Sequence, residues 1–345
     1  SDPTPDIAGN GIQLSYGATG STAENVVTGV GYTGDGWSGT GILLFESGDI
    51  TMVGDSVTGC QSGVNYSDWR WQYSHPVPVN LEFQDIVLTD NEWSFGAQLS
   101  GLESDLNLVM AGCTITGSTG DALDVWGTDV DPWGGAYYTG WDNGDLDVTI
   151  TGLTLDNTAI DGIWTADLSG NLTNTVQGFS VTGSSFDNTV GAAVANGFTT
   201  VVDAPANYWG DLGGPIAGAK AGASKKIAPA ISPAGFDLPR TGYVPEVTGG
   251  SGDKVAQTVT GLVDFSPWYG LPLGTSPRTL GTNDSVNDAL ALANDGDTIN
   301  VAAGNYEEQV HVTANDLTIT GAGVGATFVD APADMPLFFT TAEDN

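Results

Sequence analysis

The chain is short of basic residues, of histidine and of sulfur. Its 345 residues include seven Lys and Arg, two His, two Cys and three Met, against 42 Asp and Glu, for a formal net charge of −35. A body of that charge repels phosphate groups, so neither nucleic acid nor an anionic membrane is expected as a partner. The same charge favours Ca²⁺ or a salty medium. Two histidines cannot build a zinc site by themselves.

Long apolar runs and cysteine motifs are missing as well. No stretch of about 18 apolar residues occurs, so membrane insertion through a transmembrane helix is not expected. Cys60 and Cys113 lie in "DSVTGCQSG" and "GCTITGSTG", at different places relative to a shared V/I-T-G core. They make no metal motif. Two buried thiols are expected, with a disulfide as the alternative.

The abundant residue types suit β-structure. Fifty residues are Gly, and the polar residues are mostly Thr, Asn, Asp and Ser, which favour turns and strand edges. Hydrophobic residues make up 40% of the chain and charged residues 14%, which is not the composition of a disordered acidic segment. An all-β protein is expected.

One pattern recurs along the chain: a short strand, a T-G or D-N pair, a polar turn and a second apolar strand. Clear copies are "LNLVMAGCTITGSTGDALDV" and "LDVTITGLTLDNTAIDGIWTA". Apolar residues alternate within each copy, which is the period of a strand with one buried face. The spacing predicts a solenoid of stacked parallel strands over residues 10–212. Its expected core includes Ile115, Val148, Ile150, Leu153, Phe179 and Val181.

These repeats resemble the right-handed parallel β-helix of pectin-lyase-like proteins. "ANYWGDLGGP", from Ala206, and residues 250–270 resemble the final coil and terminal edge strand of secreted β-helix surface proteins. "SVNDALALANDGDTINVAAGNYEEQVHVTANDLTITGAG", from Ser285, resembles the capping helix and first coils of that family. The resemblance implies an all-β, right-handed parallel β-helix solenoid with a short capping helix near the C-terminus. It also implies a secreted protein of the cell surface or of an extracellular filament.

The residues themselves support the capping helix. Asp284 or Ser285 can cap the N-terminus of a short helix. The apolar stripe of that helix would consist of Val286, Ala289, Leu290 and Ala293. Such a helix is too short to persist alone, but it could cover the exposed end of a stack.

The expected organisation has five parts. These are β-helix coils over 1–215, an Ala/Pro/Gly-rich basic loop or strap over 216–249, a terminal edge strand over 250–270, a linker over 271–284, and the capping helix with first coils over 285–345. Six of the seven basic residues fall between Lys220 and Arg278. The basic segment is either a loop that carries counter-charge or a strap that docks on an acidic neighbour, with Lys225 and Lys226 as its candidate contacts.

Two aromatic-rich segments interrupt the coil rhythm and look like inserted loops. Trp and Tyr at this density suit loop packing, a protein interface or stacking on carbohydrate, and the sequence leaves the three open. The candidate aromatic patch consists of Tyr66, Trp69, Trp71, Tyr73, Trp133, Tyr137, Tyr138 and Trp141.

The second aromatic segment is also acidic. Ca²⁺ takes about six to eight oxygen ligands, which carboxylates and carbonyls on Gly-rich turns can supply. The candidate Ca²⁺ ligands are Asp129, Asp131, Asp142, Asp145 and Asp147. A solvated acidic loop is the alternative. If Ca²⁺ binds the folded chain, it should raise the melting temperature.

Catalysis is not expected. The family resemblance implies that a polyuronate lyase would need Arg or Lys at its centre, and Arg70 is the one cation in the coil region. Asp121 and Asp124 could supply a carboxylate pair for glycoside hydrolysis. No His or basic pair accompanies them, and their spacing tends to place them on opposite faces of a strand.

The segments that resemble the end of the family's β-helix precede the segment that resembles its beginning, so the chain looks circularly permuted relative to the family. "DIAGNGIQLSYG", at residues 6–17, has the character of the coil that should follow the C-terminus. The C-terminal strands should therefore stack on coils near the N-terminus. A return within one chain would demand an almost straight connector over 271–283, so joining to the next chain is favoured. A cut through a tandem array is a third alternative.

The residues expected at this joint are Ile12, Leu14, Leu317, Ile319, Phe328, Leu337, Phe338 and Phe339. The favoured function is a non-enzymatic extracellular structural protein that joins copies of itself head to tail, into filaments or a surface layer. The alternatives are a carbohydrate-binding or carbohydrate-cleaving β-helix protein, and a segment of a long tandem β-helix adhesin.

Overall fold

The computed structural model describes most of the chain. The described residues are 9–32, 38–68, 78–100, 105–128, 146–167, 176–198, 200–210, 215–217, 225–226, 237–238, 254–257, 263–271, 273, 278–283, 285–331 and 336–340. Within them, no helix is long and apolar enough to cross a membrane.

Three long sheets form the body of the protein, and neighbouring strands in each sheet come from successive passes of the chain. Sheet A contains, in spatial order, β1 (Asn10–Ser15), β4 (Thr40–Phe45), β7 (Ser62–Asp68), β10 (Trp93–Ser100), β13 (Leu123–Thr128), β16 (Ile163–Asp167), β19 (Ala192–Gly197), β25 (Lys254–Gln257) and β22 (Ile216–Ala217). Sheet B contains β2 (Gly20–Ala23), β5 (Ile50–Val53), β8 (Val79–Gln84), β11 (Leu106–Ala111), β14 (Leu146–Thr151), β17 (Val176–Thr182), β20 (Val202–Asp203) and β26 (Val263–Asp264).

Sheet C is the longest of the three. It contains β3 (Val26–Thr28), β6 (Ser56–Thr58), β9 (Val87–Thr89), β12 (Thr114–Thr116), β15 (Thr154–Asp156), β18 (Ser185–Asp187), β21 (Asn207–Tyr208), β27 (Trp268–Tyr269), β28 (Thr279–Thr282), β29 (Thr298–Val301) and β32 (Thr318–Gly321). Neighbouring strands pair in parallel along all three sheets. The exception is the antiparallel pair of β27 and β28.

One strand from each sheet makes one coil. β1, β2 and β3 form the first coil, β19, β20 and β21 form the seventh, and β25, β26 and β27 form the eighth. The chain is therefore an all-β parallel solenoid, as the repeats predict. We call these eight coils the N-terminal unit. Residues 250–270 supply three strands and thus a whole coil, where the sequence predicts a single edge strand.

A two-residue turn joins sheet B to sheet C in each of the first six coils. The first residue of the turn has a positive φ, which glycine adopts freely and Asp tolerates. These residues are Glu24, Gly54, Asp85, Gly112, Gly152 and Gly183. The second residue of the turn faces inward, and because the turn repeats, its side chains form a column. That column consists of Asn25, Asp55, Ile86, Cys113, Leu153 and Ser184.

The core follows from strict alternation along the short strands. In β14, for example, Leu146, Val148 and Ile150 are buried while the residues between them are exposed. Parallel register then stacks like positions, so Ile150 lies between Met110 and Val181. All six predicted core residues are buried. Burying an aliphatic side chain of this size contributes about 1.5–3 kcal/mol.

The two cysteines lie in different turns of the solenoid. Cys113 belongs to the column between sheets B and C, whereas Cys60 follows sheet C, after the positive-φ residue Gly59. Both are buried free thiols, which confirms the prediction.

The described residues between 279 and 340 form a smaller C-terminal unit with its own core. Its first coil is β29, β30 (Gly304–Glu307) and β31 (Val310–Val312), and its second is β32, β33 (Thr327–Asp330) and β34 (Phe338–Thr340). The helix α1 (Val286–Leu292) packs against β28, β29 and β31. Strand β28 lies within residues 271–284, which the sequence predicts to be a linker. A separate antiparallel ribbon joins β23 (Lys225–Lys226) to β24 (Asp237–Leu238).

The reversal at β27 and β28 puts the two cores on opposite faces of sheet C. Trp268 belongs to the core of the N-terminal unit, and the next residue, Tyr269, packs against the core of the C-terminal unit. Leu280 is opposite Tyr269 in register and lies in that second core. Successive side chains of a strand point to opposite faces, so the two units share one sheet while their cores are offset to either side of it.

Candidate functional site: the two ends of the stack

The first coil forms one end of the stack. β1, β2 and β3 are the terminal strands of their sheets, and none of them has a second partner strand among the described residues. The inward residues Ile12 and Leu14 are only partly buried, although they pack against the core. Within the part of the chain that the structure describes, this end therefore presents three unpaired strand edges around an apolar centre.

Polar side chains hold the first coil to the second. The buried carboxylate of Asp55 accepts hydrogen bonds from the hydroxyl of Thr22 at 2.5 Å and from the backbone N–H of Asn25 at 2.8 Å. The side-chain amide of Asn25 donates to the same carboxylate at 2.8 Å. Because these bonds fix the first turn, the edge strands are held in a defined shape.

The last coil of the C-terminal unit forms the opposite end. β32 is the terminal strand of sheet C, and β33 and β34 each have one partner strand among the described residues. Leu317, Ile319 and Val329 are partly buried against the core. Phe338 is 57% exposed although its register partner Val310 lies in the core, so it continues an inward column at an uncovered end.

The two ends lie far apart within one chain. Sheet C has eleven strands, with β3 first and β32 last. Ten spacings of ~4.8 Å place those two strands about 48 Å apart. The C-terminal strands therefore do not stack on the first coil of their own chain, and the alternative of closure within one chain is contradicted.

The beginning of the C-terminal unit is covered by α1. Side chains of the same unit cap the N-terminus of this helix and stabilise it there. Ser285 is the N-cap and its hydroxyl accepts from the backbone N–H of Asp288, as the sequence predicts. The carboxylate of Glu308 adds bonds that the sequence does not reveal. It accepts from the backbone N–H groups of Val286 at 2.7 Å and Asn287 at 3.0 Å. Most of the orphan donors of the first helical turn are thereby satisfied.

Replacing Glu308 with Ala should lower the free energy of unfolding of the C-terminal unit by about 1–2 kcal/mol, because α1 loses acceptors for its first N–H groups. The neighbouring exposed residue provides the control, so Glu307→Ala should change little. Urea unfolding of the two variants measures the difference. Equal midpoints would show that Glu308 is not a cap.

Arg278 ties the two units together. Its guanidinium donates to the carboxylate of Asp297 at 2.8 and 3.1 Å and to the backbone carbonyl of Leu292 at 2.5 Å. It also lies over the ring of Tyr269, with the guanidinium carbon 5.5 Å from the ring centroid. One side chain thus contacts the last strand of the N-terminal unit, the end of α1 and the turn before β29.

Two carboxyl groups have altered pKa values, that of Asp297 at this junction and that of Asp203 on sheet B. Burial would raise the pKa of Asp297, but hydrogen bonds from the backbone N–H of Asn294 and from Arg278 outweigh it, and the net shift is downward. Asp203 lies beside Asp264 on the outer face of sheet B. Burial and the neighbouring charge of Asp264 raise the pKa of Asp203.

Most of the residues predicted at the joint between chains lie at the two ends of the coil stack. Ile12 and Leu14 are inward residues of the first coil, and Leu317, Ile319 and Phe338 are inward residues of the last. Phe328 is 49% exposed, and its register partner is Asn305 rather than a core residue, so it points outward. Leu337 is half-buried just before β34, and Phe339 is opposite His311 in register. Lys225 and Lys226 lie in β23, and their side chains are outside the described residues.

The aromatic patch needs one correction. Tyr66 is an inward residue of β7 with no exposed surface and belongs to the core, because it alternates with Val64. The other seven predicted members, Trp69, Trp71, Tyr73, Trp133, Tyr137, Tyr138 and Trp141, lie outside the described residues. Their role as a patch stays a prediction.

The Ca²⁺ site also stays a prediction. Asp129, Asp131, Asp142 and Asp145 lie outside the described residues, and Asp147 is exposed on β14. Among the residues that the structure describes, no three His, Cys, Asp or Glu side chains are grouped so that they could hold a metal ion.

Asp121 has a structural role in the turn that precedes sheet A. Its buried carboxylate accepts from the backbone N–H of Asp161 at 2.7 Å, and Asp161 in turn accepts from the N–H of Ala192 at 2.7 Å. Asp124 lies on the outer side of β13, opposite Trp164 in register, and is buried. The two carboxylates thus sit in different environments.

The fold and its two ends define a parallel β-solenoid whose coil stack is open at both ends within the described residues. The chain matches no protein-family model, no curated protein and no solved structure.

Proposed function

We propose that the protein is a non-enzymatic, pectin-lyase-like structural protein outside the cell, and that its copies join head to tail. The C-terminal unit of one chain would supply the capped start of a β-helix, and the eight coils of the next chain would continue it. The observation that supports this is the pair of ends: each presents three strand edges around an apolar centre, about 48 Å apart in sheet C.

The polarity of the two units supports the same arrangement. In the C-terminal unit α1 covers the beginning and the open coil is the last, whereas in the N-terminal unit the open coil is the first. An open last coil and an open first coil can stack in parallel as successive coils of one solenoid. Such a contact is heterologous, so it propagates into a filament unless its rotation closes a ring. It also covers edges that would otherwise template non-specific pairing.

The offset of the two cores gives the filament its expected shape. Each chain would contribute to two successive β-helices, joined through sheet C by the pair of β27 and β28. The filament would therefore consist of staggered solenoids rather than of one continuous rod. With a net charge of −35 per chain, assembly should need salt to screen repulsion between subunits.

Two end variants test the proposal. Ile319→Lys places a charge in the apolar centre of the last coil, and Leu14→Lys does so in the first. Each variant alone should stay monomeric, because one of its two ends is blocked. Mixed together they should form a dimer, because each still carries the end that the other lacks. Light scattering after size-exclusion chromatography measures the masses.

Substitutions on the outer side of the same strands serve as controls. Gln13→Lys and Thr320→Lys alter exposed residues and should leave assembly intact. Filaments of normal length from both end variants would contradict head-to-tail joining. So would a wild-type chain that remains monomeric at high salt and binds or cleaves a polysaccharide.

A further inference from the structure

An uncharged strip runs along the outer face of sheet C in the first four coils. In each of these strands the middle residue, Val27, Val57, Leu88 or Ile115, is buried, and the two flanking residues face outward. Parallel register aligns the outward residues in two columns. The strip consists of Val26, Thr28, Ser56, Thr58, Val87, Thr89, Thr114 and Thr116.

The strip is distinguished by its lack of charge. The next two coils of sheet C place Asp156 and Asp187 on the same face. The outer face of sheet B carries Glu82, Asp147 and Asp264. In a chain with 42 acidic residues, eight aligned positions without a charge form a surface that another acidic body can approach with little repulsion.

Sheet A does not offer a comparable surface. Leu43, Asn65, Asp124 and Trp164 on its outer side are all buried. By contrast, Val26 is 75% exposed and Val87 is 39% exposed. The rims of the strip are acidic, since Asp85 and Asp90 lie against Gly112 and Gly117 of the next coil. An uncharged centre with acidic rims limits the contact to a narrow line.

We propose that this strip is the lateral contact between filaments, and that its occupant is the same strip on a second copy of the chain. The inference rests on the proposed head-to-tail assembly. Val, Ser and Thr are short, so two flat sheets can approach to about 10 Å, the ordinary distance between packed sheets. A contact through the outer face of sheet B would instead bring like charges together.

The area of the strip determines whether single chains or only filaments can associate through it. Four strands at ~4.8 Å spacing and two outward residues per strand give on the order of 200 Å² per partner. A stable protein dimer buries about 800 Å² per partner. Single chains should therefore not pair through the strip. A filament repeats the strip once per subunit, and many weak contacts between two filaments add up through their high effective concentration.

The test compares two valines of nearly equal exposure. Val87 is 39% exposed within the strip, and Val109 is 37% exposed on sheet B. At the salt concentration where wild-type filaments bundle, Val87→Glu should give single filaments of unchanged length, with about a tenfold smaller fraction sedimenting at low speed. Val109→Glu and the uncharged variant Val87→Ser should bundle like the wild type. Electron microscopy and sedimentation are the measurements.

The possible outcomes distinguish the lateral contact from the head-to-tail joining on which it rests. Wild-type filaments that never bundle, or Val87→Glu filaments that bundle normally, would overturn the lateral contact while head-to-tail joining stands. Absence of any wild-type filament would overturn both. Unbundled filaments that adsorb to an insoluble neutral polysaccharide, with adsorption lost in Val87→Glu, would make carbohydrate the occupant and overturn the proposal of a second copy.

Discussion

Replacing Ile150 with Asp should cost more than about 4 kcal/mol of unfolding free energy, or prevent folding altogether, because a carboxyl group would be buried without a partner. Ile150 has no exposed surface. Its register partners are Met110 and Val181, which are themselves buried. No polar group of those side chains could compensate the new carboxyl group.

A substitution at the neighbouring residue and a graded series of substitutions at Ile150 serve as controls for this prediction. Thr149→Asp changes an exposed residue of the same strand and should shift the urea midpoint only slightly. Ile150→Val should cost about 0.5–1.5 kcal/mol and Ile150→Ala about 2–5 kcal/mol. If the Asp variants at 149 and 150 unfolded at the same urea concentration, the assigned register of β14 would be wrong.

Replacing Arg278 with Met should cost about 2–4 kcal/mol, because it leaves the carboxylate of Asp297 without its cation. The Asp297 side chain is 3% exposed and that of Arg278 is 22% exposed, so solvent can compensate only in part. Arg278→Lys keeps the charge but loses the planar fork that contacts both Asp297 and Leu292, and it should recover only part of the loss.

The pH dependence of stability gives an independent check on this cluster. The folded pKa of Asp297 is below its ordinary value of 3.8. A depressed carboxyl pKa contributes stability that is complete above the unfolded pKa and is lost as pH falls through the folded one. In the wild type this contribution should therefore begin to fall at about pH 4 and disappear as the pH passes below the folded pKa of Asp297. In Arg278→Met the folded pKa of Asp297 should rise toward or above its unfolded value, so this acid-dependent loss of stability should shrink or vanish. Superimposable profiles of the two proteins would exclude the ion pair as a stabilising contact.

Much of the fold could be predicted because its signals are local and repeated. The period-2 alternation in β14, the Gly and Asp residues at positive φ, and the Ser285 cap each depend on a few neighbouring residues. The burial of Tyr66 could also be predicted from the sequence, because Tyr66 alternates with Val64 in β7. The density of aromatic residues that follow Tyr66 instead favours a place for it in the loop.

The junction between the two units could not be predicted, because its contacts join residues that are far apart in the sequence or that carry no local signal of their pairing. Nothing around β28 signals that it pairs antiparallel with β27, an arrangement in which Gly281 leaves room for the indole of Trp268. Glu308 reaches back 22 residues to the start of α1. The sequence therefore predicted two open ends but not the direction in which the C-terminal unit extends.

Cross-linking between chains tests head-to-tail joining most directly. Gln13→Cys and Thr320→Cys place exposed thiols on the terminal strands of the two ends. The native Cys60 and Cys113 are buried, and burial raises the pKa of both thiols, so they should react slowly. A long, flexible bismaleimide then reports which ends meet.

Chains with Gln13→Cys mixed with chains carrying Thr320→Cys should give a cross-linked pair that contains one chain of each kind, identified by mass spectrometry with one chain isotopically labelled. Chains carrying both substitutions should give a ladder of covalent oligomers. An internally cross-linked monomer from the double variant, or filaments that yield no cross-link between the two positions, would contradict the account.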